Sequence, residues 1–121
     1  MKTFIISTVI FAVMISMIIF NYIYINNSAD RLEELTSAII PDSGDLEERV
    51  KVLEDYWEDN KVRIGLVSNH TIINNIGIKI ANIRLFTDKG DDFCLAKELI
   101  LLKEDIKELR RLERLSAENI F

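Results

Sequence analysis

The chain has 121 residues, 49% hydrophobic and 29% charged, with a formal net charge of −5, enough for one small domain at most. The acidic balance argues against nucleic acid as a partner, and the single cysteine, Cys94, excludes a disulfide scaffold. The averages hide a division: residues 1–29 hold one charged side chain, Lys2, whereas residues 30–121 hold all 20 acids and the other 14 bases. Such a chain reads as a membrane-directed segment followed by a water-soluble one.

From Phe4 to Ile25 there are 22 residues without a charge, and only Ser7, Thr8, Ser16 and Asn21 are polar. A helix of that length covers about 33 Å, enough for a hydrocarbon layer of about 30 Å. The rival reading is a cleaved signal peptide, whose apolar core runs to about 7–15 residues before a small-x-small site. Here the apolar stretch is longer, and Asn27 fits poorly two residues before Ala29. Tyr22 and Tyr24 suit the membrane–water interface. The expected organisation is an uncleaved signal-anchor over 1–25 and a helical bundle over 26–121. Lys2 and the α-amino group precede the span and only Arg31 follows it closely. The inside-positive bias therefore expects a single-pass protein of the cell membrane, with a cytoplasmic N-terminus and an extracytoplasmic domain.

The soluble part reads as helices, with one proline and no alternating strand pattern. Leu32, Leu35 and Ile39 at helical spacing extend the membrane helix outward until Pro41-Asp-Ser-Gly44 stops it. Asp45 is the expected N-cap of the next helix, with Glu48 completing a capping box. Its seam is Leu46, Val50, Leu53, Trp57, Asn60, Ile64 and Val67. A turn at Ser68-Asn69-His70 leads to a third helix with Ile73, Ile76, Ile80, Ile83 and Phe86 inward. Thr87 to Asp92 forms the next turn, capped by Asp91 or Asp92. The last helix carries Leu95, Leu99, Leu102, Ile106 and Leu109. The fold class expected is all-α: an N-terminal transmembrane helix followed by an antiparallel three- or four-helix bundle. Either the bundle tilts to accommodate helices of unequal length, or the chain bends at Asn26-Asn27 and leaves three helices on a tether. Alternating directions put Ser68–His70 and the C-terminal Asn119-Ile120-Phe121 at the membrane-near end.

Charge divides the soluble part. Residues 30–59 carry 11 acids and three bases, and residues 60–121 carry nine acids and 11 bases. Lys103, Lys107, Arg110 and Arg114 form a basic stripe on the last helix; Glu47, Glu54 and Glu58 form an acidic one on the second. One reading pairs the stripes across the seam, as at the flanks of a coiled coil. The sharper reading turns the basic stripe towards anionic lipid or a partner.

Sites of chemistry are sparse. His70 is the only histidine, which leaves a multi-histidine metal site little to draw on. Cys94 begins the last helix, where the helix dipole would favour its thiolate, although an idle thiol is the plain reading. Asp88-Lys-Gly-Asp-Asp92 lacks the ligand spacing of a calcium loop. Asn26-Asn27-Ser28 and Asn69-His70-Thr71 match the glycosylation sequon, a short and common pattern. No phosphate loop or nucleophile elbow is present, so no catalytic residue, metal or cofactor is expected. Trp57 reads as a packing anchor; with His70 it also marks the one candidate pocket.

Three features together resemble an uncharacterised bacterial family of small membrane-anchored proteins from spore-forming Gram-positive bacteria. They are the N-terminal anchor, Trp57 some dozen residues before the lone histidine in Ser68-Asn69-His70, and the ending Glu113-Arg-Leu-Ser116-Ala-Glu-Asn119-Ile120-Phe121. Relatives often place acids after the histidine, whereas here Thr71-Ile-Ile-Asn74-Asn75 stand there and disfavour an acid-plus-histidine site. The resemblance implies topology and fold, and neighbouring membrane proteins as partners; it implies no activity. The expectation is a non-enzymatic interaction or assembly module at the cell envelope, in contact with the bilayer and another membrane protein. The alternative is a ligand-sensing or binding domain with a pocket near Trp57 and His70.

Overall fold

The apolar run and the helix after it form one element. In the computed structural model, which describes residues 1–120 but not the side chains of 116, 117 and 120, helix α1 runs unbroken over Lys2–Ala38. Its 37 residues cover about 55 Å. The bend at Asn26-Asn27 does not occur: Asn27 points to solvent, so its amide has no need to interrupt the helix. Burial begins at Ile25 and continues through Ser28, Ala29, Leu32, Leu35 and Thr36, with Ile39 just beyond. The first half of α1 is bare and long enough to cross a membrane, and the second half is one wall of a core.

Three helices complete that core: α2 (Leu46–Val67), α3 (His70–Lys89) and α4 (Asp92–Ile120). Each touches its neighbours in sequence, α4 also returns to α1, and the diagonal pairs α1–α3 and α2–α4 stay apart. The result is a closed square of antiparallel helices, the four-helix form of the expected bundle. Two contacts fix which ends coincide. The Tyr24 hydroxyl donates to Asn60 Oδ1 at 3.3 Å, and Arg110 Nη2 lies 2.6 Å from Asp30 Oδ1. The α2–α3 turn and the end of α4 therefore share the base of the bundle with the emerging half of α1. The other two turns form its far end.

The seams run as their spacing requires. Val50, Leu53, Trp57 and Ile64 of α2 are buried, as are Ile76, Ile80 and Ile83 of α3 and Leu95, Leu99, Leu102, Ile106 and Leu109 of α4. Each large aliphatic side chain buried this way contributes about 1.5–3 kcal/mol. Leu46, Val67 and Phe86 pack half-buried at the edges. One seam position moves: Ile72 is buried at the start of α3 and Ile73 only half-buried. Two adjacent isoleucines fit either register, and packing selects the one four residues before Ile76.

The turns differ in detail from what the sequence suggests. Asp45 precedes α2 without capping it; its carboxylate is taken by Ser43 Oγ at 3.0 Å and Arg49 Nε at 2.6 Å. An arginine one turn on outcompetes the backbone amides, so the capping box with Glu48 is not made. In the turn before α2, Asp42 adopts the left-handed conformation (φ 64°). Asn69 caps α3 by accepting from the amides of Thr71 and Ile72 at 2.8 and 3.4 Å. Gly90 ends α3 in the left-handed conformation, and the Asp91 amide closes back on the Phe86 carbonyl at 3.0 Å. Asp91, of the two candidates, caps α4: its Oδ1 accepts from the Cys94 amide at 3.1 Å.

Candidate functional site

On the outer side of the α2–α3 pair runs an open groove of about 920 Å³. Helical spacing puts Trp57, Lys61, Gly65 and Leu66 of α2 on one wall and His70, Ile73, Asn74 and Gly77 of α3 on the other. The glycines make it deep. A methyl added at Gly77 would stand 3.5 Å from Trp57 Nε1, and one added at Gly65 would stand 4.0 Å from Ile73 Cγ2. The indole of Trp57 is 4% exposed, so it is the anchor the sequence suggested, yet its edge lines the groove. Its N–H donates to no described side chain, and it is not among the buried groups left without a partner, so it opens on the groove. Val62, Leu66 and Ile78 add exposed apolar surface, at 69%, 80% and 57% exposure.

Trp57 and His70 thus line one groove. His70 is exposed at its lower end, and no carboxylate shares that stretch: from Asn60 to Thr87 the sequence holds none. At the upper end Glu54 is bound by Arg84 Nε at 3.1 Å, and Glu58 by Lys61 at 2.8 Å. Arg84 also holds Glu47 at 2.7 Å and Asp88 at 3.2 Å, which ties α2 to α3. The hydrogen bond it donates to Glu54 pushes the guanidinium further above its ordinary pKa, so Arg84 is a fixed cation of the scaffold.

Among the described residues, only one member of the basic stripe of α4 is tied to another helix. Arg110 reaches α1, with Asp30 at 2.6 Å and Glu33 at 3.1 Å. Lys107 lies 3.6 Å from Glu104, and Arg114 lies 4.0 Å from Glu118, both within α4. Lys103 is half-buried and has no carboxylate within ion-pair distance among the described residues. Nor do the two stripes pair with each other. Helices α2 and α4 are diagonal in the square, so Glu47 and Glu54 find Arg84 of α3 instead. Sequence reasoning missed Arg84 and Arg110 as cross-helix clamps because topology, not spacing, decides which helices are neighbours.

Cys94 is half-buried beside Asp91, and that carboxylate, by accepting its hydrogen bond, pushes the thiol pKa up. The expected thiolate at the start of α4 is therefore disfavoured by its hydrogen bond to Asp91. No group of three or more metal-ligating side chains comes together among the described residues.

The family model described as a domain of unknown function (DUF4363) matches residues 19–120. The chain belongs to this family. The match to DUF4363 starts inside the apolar half of α1 and takes in every helix of the bundle and the whole groove. The resemblance to an uncharacterised family thus holds over most of the chain. No curated protein and no solved structure matches the chain.

Proposed function

We propose that the protein is a non-enzymatic, membrane-anchored module of the bacterial cell envelope that holds a helix of a neighbouring membrane protein in the α2–α3 groove. One observation carries the reading: exposed Val62, Leu66 and Ile78 gather on one open groove. Glu54 to Leu66 on the α2 wall cover about 18 Å, three turns of a docked helix. The glycines on both walls let a partner backbone come close. The groove runs along the bundle axis to the base, so a helix leaving the bilayer beside α1 enters it without bending. The N-terminus is cytoplasmic and the bundle outside in this proposal, which follows Lys2 and the apolar first half of α1.

The test is a photo-crosslinking residue at Ile78 in native membranes, with Ile100, exposed on α4, as the control. The expected result is one membrane-protein adduct from Ile78 and none from Ile100. Equal adducts from both positions, or only a dimer of this chain, would overturn the reading.

A second reading rests on the indole N–H at the groove. A small amphiphile with an apolar body and a hydrogen-bond acceptor would fit the notch between Trp57 and Gly77. Trp57 is the only tryptophan, so its emission reports occupancy directly. A saturable shift with detergent-extracted lipids, in protein free of other chains, would favour the amphiphile over the partner helix.

A further inference from the structure

The contact between Tyr24 and Asn60 fixes the depth of the α2–α3 turn. Tyr24 closes the apolar half of α1, at the level suited to a membrane–water interface. From Asn60, α2 continues antiparallel to α1 for seven more residues to Val67, about 10 Å nearer the bilayer. The interfacial layer on each side of a bilayer is about 6–7 Å deep. A turn 10 Å below Tyr24 therefore cannot stay in bulk water while α1 spans the membrane. The side chains at that depth fit the environment. Val62 and Leu66 are 69% and 80% exposed, the turn itself is the uncharged polar Ser68-Asn69-His70-Thr71, and no carboxylate occurs from Asn60 to Thr87. Arg63 lies 4.8 Å from the Tyr24 ring centroid with its side chain exposed.

The charge of the whole bundle agrees. Its base, residues 25–31, 60–78 and 108–120, carries six bases against four carboxylates. The remainder, residues 32–59 and 79–107, carries 16 carboxylates against eight bases. A bilayer with anionic headgroups attracts the first and repels the second.

We propose that, in the chain with no partner helix in the groove, the α2–α3 turn is a second membrane contact, in which Val62 and Leu66 enter the boundary between headgroups and acyl chains of an anionic bilayer and Arg63 meets lipid phosphate. The proposal rests on α1 being the anchor. Lipid engages α2 here, not the α4 stripe, whose Arg110 is held by Asp30 and Glu33.

The full chain, with Cys94→Ser, is reconstituted into vesicles of equal parts phosphatidylglycerol and phosphatidylcholine. An environment-sensitive fluorophore is attached at Phe11→Cys, Ser68→Cys or Asp88→Cys in separate preparations, and lipids brominated on the upper acyl chain serve as quenchers. The expected result is strong quenching at position 68, weak quenching at 88, and loss of the position-68 signal when Val62→Asp and Leu66→Asp are combined. Both side chains are exposed, so the double variant keeps the helical circular dichroism. Quenching at 11 without quenching at 68 overturns the second contact and leaves the anchor standing. Absence of quenching at 11 overturns the anchor, and the turn's contact with it.

Discussion

The Tyr24 hydroxyl donates to Asn60 Oδ1, and Asn60 Nδ2 in turn donates to the Tyr56 carbonyl at 2.9 Å. A polar side chain on the α2 seam thereby sets the register of α2 against α1. Tyr24→Phe should cost about 0.5–1.5 kcal/mol, and Asn60→Ala a similar amount. In a double-mutant cycle the two losses should not add, because both remove the same bond. Additive losses in thermal melts of the detergent-solubilised chain would mean that the contact carries no energy.

Trp57→Ala should destabilise the bundle by about 3–5 kcal/mol, since a large aromatic 4% exposed leaves a cavity when truncated. His70→Ala should cost little, as the imidazole is exposed and the cap of α3 is made by Asn69. Equal small shifts for both would contradict the burial of Trp57.

Gly77→Ala should raise stability by about 0.5–1 kcal/mol, because glycine inside a helix is disfavoured and the new methyl meets Trp57 at an ordinary 3.5 Å. The same methyl stands in the notch below the indole. Higher melting temperature with weaker crosslinking at Ile78 is the expected pair of results; a lower melting temperature would show that the notch is already full.

Much of this was legible in the sequence. Leu95, Leu99, Leu102, Ile106 and Leu109 alternate steps of four and three, and a helix that buries one residue buries all five. Both later turns, at Ser68–His70 and Thr87–Asp92, fall where they were expected, although the roles of Asn69 and Gly90 within them appear only in the structure. The unbroken course of α1 was not legible, because Asn26-Asn27 reads as a break and becomes harmless only when the helix leaves Asn27 exposed and Asn26 half-exposed. The groove was half legible: Trp57 and His70 were singled out, but Gly65 and Gly77 carry no chemistry and gain meaning only once α2 and α3 are adjacent. The C-terminal Ile120 and Phe121, expected near lipid, lie outside the described side chains.

Asp91 should show a linked pH effect. Its carboxylate accepts from the Cys94 amide, which holds its pKa below the ordinary value, so its stabilising contribution is present above about 3.9, the usual aspartate pKa, and is lost as pH falls through the lower folded value. Asp91→Ala should lower the melting temperature at pH 7, and the gap should close on acidification. Asp91→Asn keeps a capping acceptor but removes the charge that raises the thiol pKa. Alkylation of Cys94 should then reach its midpoint at lower pH. An unchanged midpoint would assign the thiol's shift to burial alone.

The mature chain should retain Lys2. Ile25, Ser28 and Ala29 are buried in a continuous helix, so a cut after Ala29 would require unwinding α1 and would strip the base of the core. Intact-mass measurement on protein from its native membrane decides the matter; a chain beginning at Asp30 would refute it.

The square arrangement also imposes an order on assembly. Helix α1 is synthesised first, α2 adds to it, and α3 adds to α2, each across a short turn and at small entropic cost. Only α4 must find a helix made long before, and the ion pair from Arg110 to Asp30 spans 80 positions of sequence. Until those last 29 residues have left the ribosome, the core stays open along one side, with Leu32 and Leu35 facing water or bilayer. Closure of α4 onto α1 should therefore be the slow, late event, and a nascent chain truncated before Asp92 should remain sensitive to proteases.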